Sequence, residues 1–230
     1  MRLDRILSNL PQFNRQAVRQ LIASGQVLID GQCCRDPRFD VTVFNRVELD
    51  GHAIQAGKPA RYFMLNKPMG VVSATEHPAH KTVIDLLNEP DKAELHLAGR
   101  LDLNTSGLLL ITNDGQWSRR VTQPVSKQAK VYWVSTEQPI EAHYVDTFAA
   151  GMYFEFEDLT TLPAMLEIVA PYNARLSLYE GRYHQVKRMF GHFQNKVIGL
   201  HRERVGNIML DPQLAPGEYR TLTPDEIASV

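Results

Sequence analysis

The sequence predicts an α+β chain in two unequal modules: a small one of two helices and a hairpin, then a larger one on a mixed, mainly antiparallel sheet. Three observations lead there. The 230 residues are 43% apolar, enough to bury more than one core. Gly51 to Ala60, with Gly57 and Pro59, breaks the apolar patterning and reads as a linker, dividing the modules into 1–57 and 58–230. Beyond it, strand-like runs are flanked by helical ones without the strict βαβ rhythm of a parallel sheet.

In the first module Leu3, Ile6, Leu7 and Leu10 recur at helical spacing up to Pro11. Asn14 is placed to cap a second helix carrying Ala17, Val18, Leu21 and Ile22, which Gly25 ends. A strand over 26–29 runs into Asp30-Gly31, a hairpin dipeptide, and a later strand spans 46–49. In the second module strands are expected at 61–65, 108–112, 131–136, 166–169 and 175–179, with an extended piece at 71–73. Helices are expected near 82–88, after Asp114, near 140–150 and over 183–193.

No run of about 18 apolar residues is present, and no signal-peptide pattern follows Met1, so a cytoplasmic protein without membrane association is expected. Cys33 and Cys34 are adjacent and alone, which fits neither a disulfide framework nor a zinc site. The net charge of -1 hides an asymmetry: residues 1–61 carry +3 and the remainder -4. Within that acidic remainder, 182–204 holds Arg182, Lys187, Arg188, Lys196, Arg202 and Arg204 against Glu203 alone.

The stretch Gly99-Arg100-Leu101-Asp102-Leu103-Asn104-Thr105-Ser106-Gly107 places one carboxylate in a turn that feeds an apolar strand. Asp102 has three readings. It is a turn residue bonding its own backbone; or the start of a calcium loop, which fails because Asn113 stands where a bidentate Glu is needed; or a nucleophile or general base with Arg100 nearby. Lys130-Val131-Tyr132 puts Lys130 and Tyr132 on one face of a strand, where Tyr132 also reads as an ordinary half-buried side chain. Glu180-Gly181-Arg182-Tyr183-His184-Gln185-Val186-Lys187-Arg188-Met189 is a glycine turn opening a basic helix, with His184, Lys187 and Arg188 on one side. His184, His192 and His201 lack metal-ligand spacing.

Residues 1–50 resemble the S4 RNA-binding domain, on Arg2-Leu3-Asp4, the helix from Arg15 to Ile22 and Gly25-Gln26-Val27-Leu28-Ile29-Asp30-Gly31. Asn14-Arg15 and Phe44-Asn45 depart from the commoner Ser-Arg and Gly-Asp of that family. Nearly the whole chain, through Gly-Arg-Leu-Asp followed by Thr-x-Gly-Leu, resembles the pseudouridine synthases that act on ribosomal RNA, in the group with an N-terminal S4 domain. The extended motif Glu180 to Met189, with Leu200 to Gly206 and Ala215-Pro216-Gly217-Glu218-Tyr219, is most similar to the members acting on small-subunit RNA.

The resemblance implies isomerisation of a uridine of 16S RNA, the one at position 516, to pseudouridine. It gives Asp102 the place of the catalytic aspartate, Tyr132 that of the aromatic residue stacking on uracil, and Lys187 that of the basic partner, where many relatives have Arg. Arg2, Arg5, Arg15, Arg19, Arg100, Lys130, Arg182, His184 and Arg188 become candidates for RNA contact. Breaking N1–C1′ and joining C5 to the same carbon calls for no cofactor and no metal. The expected partner is small-subunit ribosomal RNA or a partly assembled small-subunit particle, met by a monomer. The competing readings are a non-catalytic RNA-binding assembly factor and a synthase for large-subunit RNA.

Overall fold

The computed structural model describes residues 1–123 and 128–230 and divides into two units, Met1–Ala60 and Arg61–Val230. In the first, α1 (Leu3–Ser8) and α2 (Arg15–Ser24) pack on a four-stranded sheet of β1 (Val27–Ile29), β2 (Gln32–Cys33), β3 (Val47–Leu49) and β4 (His52–Gln55), in the order β2-β1-β3-β4. Leu3, Leu7, Val18, Ile22, Val27 and Val47 form its core. The Asn14 side chain accepts from Ala17 N at 2.9 Å, a cap contributing about 1 kcal/mol. Asp30 and Gly31 both take positive φ, as a tight hairpin requires.

The linker expected over 51–60 is corrected by β4, which pairs with β3 from Leu49↔His52 onward. Only Ala53 and Ile54, adjacent rather than alternating, mark this edge strand as apolar, so periodicity misses it. The overlooked signal is Asp50-Gly51, a second hairpin dipeptide whose residues also have positive φ.

The second unit holds β5 (Tyr62–Lys67), β6 (His96–Leu97), β7 (Ser106–Thr112), α3 (Gly115–Thr122), β8 (Lys130–Thr136) and α4 (His143–Ala150). There follow β9 (Tyr153–Phe154), β10 (Leu159–Thr160), β11 (Met165–Ala170), β12 (Asn173–Leu178), α5 (Gln185–Gly191), β13 (Val197–Val205), β14 (Ile208–Met209), β15 (Tyr219–Thr221) and α6 (Pro224–Ala228). The main sheet runs β11-β12-β8-β13-β7-β5-β15, with β14 on β13 and β6 on β7. All its pairings are antiparallel except β13 with β7. Val134, Leu166, Leu176, Phe148 and Phe190 pack α4 and α5 onto one part of the sheet. Met64, Leu108, Leu110 and Trp117 anchor α3 on another.

Three expectations change here. β13 was not foreseen as a strand: its Gly199, His201, Arg202, Glu203 and Arg204 obscure the apolar alternation, yet it joins β8 to β7. The helix expected near 82–88 is a single 3₁₀ turn, Ile84–Leu86, held by Thr82 and Asp85 bonding each other. The helix expected from Tyr183 starts at Gln185, because His184 sits at φ 49° as its N-cap.

The β7–β13 contact sets the position of the 99–105 turn. At Gly107, φ 103°, a Cβ would lie 2.3 Å from the Arg202 carbonyl oxygen, so only glycine lets the strands approach.

Candidate functional site

Asp102 stands in the turn between β6 and β7, and its backbone is over-determined. Ser73 Oγ donates to Leu101 O at 2.7 Å and accepts from Leu101 N at 3.1 Å. Thr105 N donates to Asp102 O. Below the turn, Lys67 at the end of β5 is fully buried, and its Nζ donates to Thr105 O at 2.9 Å, Pro68 O at 3.0 Å and Asp102 O at 3.1 Å. Burial pushes the Lys67 ammonium down to about 8, and the negative charge of Asp102 acts against that shift. Sequence reasoning missed Lys67; its one signal was a lysine closing an apolar strand immediately before Pro68.

The Asp102 carboxylate faces α5. Its Oδ2 lies 3.3 Å from Lys187 Nζ and 3.6 Å from His184 Nε2, with all three side chains about one third exposed. The start of α5 is locked by Glu180, which is buried. Its carboxylate accepts from Arg182 Nε, Gln185 Nε2 and Leu162 N at 2.8–2.9 Å. That turn therefore delivers Lys187 and His184 to a fixed place.

Tyr132, 8% exposed on β8, forms the wall of a slot of about 90 Å³ shared with Asp102, Thr105, His184, Lys187 and Leu200. Lys130 lies on the same face, two residues away, and lines an adjoining lobe of about 480 Å³ with Arg100, Arg182 and Arg202. Arg100 is exposed and borders both spaces. Burial, and the nearby positive charge of Arg202, lower the pKa of Lys130. A carboxylate held between a base-sized slot and a cation can attack a sugar carbon or remove a proton from one.

Arg188 is not brought to this site. Its guanidinium makes a two-pronged bond to the Glu157 carboxylate and lies over the Phe154 ring, 3.8 Å from the centroid. The expectation that it shares a side with His184 and Lys187 fails because His184 is not helical, and one residue of helix rotates Arg188 away from Lys187.

In the first unit, Arg2, Arg5, Arg15 and Arg19 line one groove of about 760 Å³ between α1 and α2, above Val18. All four are exposed, and Arg2 is paired with Asp4. This is a cationic surface of the kind that meets phosphates.

Comparison with known proteins bears on both units. Residues 1–47 match the S4 domain model, and residues 61–192 match the model described as RNA pseudouridylate synthase. The chain is 62% identical to the ribosomal small subunit pseudouridine synthase A of Pseudomonas aeruginosa, over the full length of both. It is 46% identical, again over both full lengths, to the protein of that name from Escherichia coli K12. A solved pseudouridylate synthase superposes with a TM-score of 0.72 at 38% identity, covering 100% of this chain and 99% of its own. With matches that span both units and a turn, slot and basic helix arranged as described, the chain belongs to the RNA pseudouridylate synthase family and carries an S4 domain at its N-terminus.

Proposed function

We propose that this enzyme converts one uridine of small-subunit ribosomal RNA, position 516 of the 16S molecule, to pseudouridine, with Asp102 as its catalytic carboxylate. The observation that carries the reading is the placement of Asp102 Oδ2, 3.3 Å from Lys187 Nζ at the edge of a slot walled by Tyr132. The names of the Pseudomonas and Escherichia relatives support the small-subunit target.

A uridine inside an RNA stack cannot reach this slot, so the target is extruded, at a cost of a few kcal/mol. Stacking on Tyr132 returns about 1–3 kcal/mol of it. Arg100, exposed at the rim, fills the vacated space or holds a phosphate. Lys187 sets a positive charge 3.3 Å from the Asp102 carboxylate, so the reacting anion keeps a partner when a base covers the slot. The carboxylate then acts at the ribose, either attacking C1′ or taking the 2′ proton. The N1–C1′ bond breaks, the uracil turns, C5 bonds to C1′ as the carboxylate leaves that carbon or the 2′ proton is returned, the C5 proton leaves to solvent and N1 gains one. Product and substrate are isomers, so no oxidant or energy donor enters. The four-arginine groove of the S4 unit supplies sequence-independent affinity for the RNA or for a partly assembled particle.

Tritium release from small-subunit RNA labelled at uridine C5, supplied free and as a partial particle, tests this directly. Release by the wild type that vanishes in Asp102→Asn, with the product mapped to position 516, is expected. Release from neither substrate would favour an RNA-binding assembly factor. Release from large-subunit RNA alone would move the target.

A further inference from the structure

We propose that the exposed loop 74–81 grips the phosphate backbone of the RNA strand that flanks the extruded uridine. This assignment rests on the uridine-isomerase reading above and extends it to a surface outside the slot and its adjoining lobe, since none of residues 74–81 lines either.

Both roots of the loop are fixed in the core. Val71 and Val83 are buried in one apolar cluster. Val72 N donates to Lys81 O and Val83 N donates to Val72 O, both at 3.0 Å, so Val72 and Thr82 pair as a parallel bridge. Thr82 N and Oγ1 both donate to the Asp85 carboxylate. Ser73, the last residue before the loop, is the one whose hydroxyl brackets Leu101 next to Asp102. Val72 and Ser73 also border the lobe beside the slot, so the loop rises from the rim of the catalytic site.

Between these roots residues 75–81 are all exposed. The tip is ordered from within: His77 Nδ1 accepts from Ala79 N at 3.2 Å and from His80 N at 3.1 Å, and the His77 and His80 ring centroids are 4.9 Å apart. Pro78 fixes its own φ between them. Ordering an uncovered loop adds no buried area to the fold, but it lowers the entropy lost when the loop meets a partner. The bonds to His77 Nδ1 leave the ring proton on Nε2 and make that atom a donor. Beside it stand the His80 ring and the Lys81 ammonium, whose side chains make no hydrogen bond or ion pair among the described residues. Asp85 feels the charge of Lys81 but bonds Thr82 instead. The loop itself sets one carboxylate, Glu76, against these three donor-bearing side chains. Donors and a cation on a preformed loop suit phosphate oxygens, and backbone contacts of that kind fix the register of a strand without reading its sequence. A flank held in this way keeps the target nucleotide opposite the slot.

Filter binding and single-turnover tritium release test the loop, with full-length protein and small-subunit RNA supplied free and as a partial particle. His80→Ala with Lys81→Ala changes only exposed side chains, and urea denaturation checks that the fold is kept. This double variant is expected to bind free RNA about ten-fold more weakly, with the rate at saturating RNA within about two-fold of wild type. Lys81→Ala alone should reduce the slope of log affinity against log salt by about 0.7–0.9. Lys196→Ala, at an exposed lysine beyond α5, should leave affinity within about two-fold, since screened charge alone does little. Unchanged affinity and salt slope, or an equal loss in Lys196→Ala, would overturn the proposal. So would a loss confined to the particle, which assigns the loop to a protein, or a fall in the saturated rate at unchanged affinity, which makes the loop a prop for the Asp102 turn. Binding needs no turnover, so the two readings fail separately. A loop effect on affinity without tritium release would sink the isomerase, and release without a loop effect would sink the clamp.

Discussion

The two units of this protein hold their cations in opposite ways. The S4 unit displays Arg2, Arg5, Arg15 and Arg19 around an open groove, where water and salt screen them. The larger unit buries Lys67, Lys130 and Arg202 completely or nearly so. Exposed charges give long-range attraction that tolerates imprecise geometry. Buried charges give little net attraction but fix whatever they bond, because leaving that bond costs far more than it does at a surface. Affinity and position are thereby assigned to different parts of one chain, and four measurements can break or sharpen that division.

The largest effect belongs to the carboxylate that the buried charges position. Asp102→Asn should lower turnover by at least about 10⁴-fold, as removing a central catalytic group does elsewhere. Its stability should stay within about 1 kcal/mol of wild type, because the Asp102–Lys187 pair is about one third exposed. Single-turnover kinetics and urea denaturation check the two halves; a loss of turnover matched by a loss of stability would make Asp102 a structural turn residue.

Next comes Lys67→Met, which should destabilise the protein by about 2–4 kcal/mol by stripping buried carbonyls of their donor. Denaturant midpoints at neutral pH measure it. A neutral result would mean that the 99–105 turn is held by Ser73 and Gly107 without the lysine.

The same lysine makes a prediction about pH. Its ammonium titrates near 8 in the folded chain against an ordinary value of 10.5. Between those values the unfolded chain binds more protons than the folded one, so stability rises with pH across this window, by at most about 1.4 kcal/mol per pH unit. Subtracting the Lys67→Met profile from that of the wild type isolates the slope, and a flat difference from pH 8 to 10 would refute it.

The smallest change is expected in the exposed groove. Arg15→Ala with Arg19→Ala should weaken RNA binding and reduce the slope of log affinity against log salt by about 1.5, with the chemical step unaltered. Filter binding at several salt concentrations reads this out. An unchanged slope would remove the groove from the RNA interface.

How much of this could be read from the chain alone follows the same division. Asp102, Tyr132 and Lys187 come from three separated segments, each with a local signature, and the structure gathers their side chains around one slot. Arg5, Arg15 and Arg19 of the first unit were visible because two short helices place them by spacing, Arg2 because it caps the first of them, and the resemblance to the S4 domain gave all four a role. Lys67 and Arg202 escaped because what distinguishes them is non-local. Lys67 bonds carbonyls 35 and 38 residues away, and Arg202 a carbonyl 94 residues away, distances at which no periodicity operates. The polar residues that obscured β13 include Arg202 itself. Arg188 failed for a local reason, the left-handed His184 that delays the helix by two residues beyond Tyr183.

The parallel seam between β7 and β13 also has a consequence for the order of events during synthesis. His201 and Arg202 dock on Ser106 and Gly107 from 95 residues further along the chain, and Ser106 Oγ bonds His201 Nδ1 across the seam at 2.9 Å. A nascent chain that has already extruded the entire 99–105 turn still lacks the strand that closes it. Such a long-range closure is slow compared with the helices and hairpins on either side. The enzyme therefore completes its candidate reactive centre late in its own production, only once the strand that follows the turn by some 95 residues has emerged.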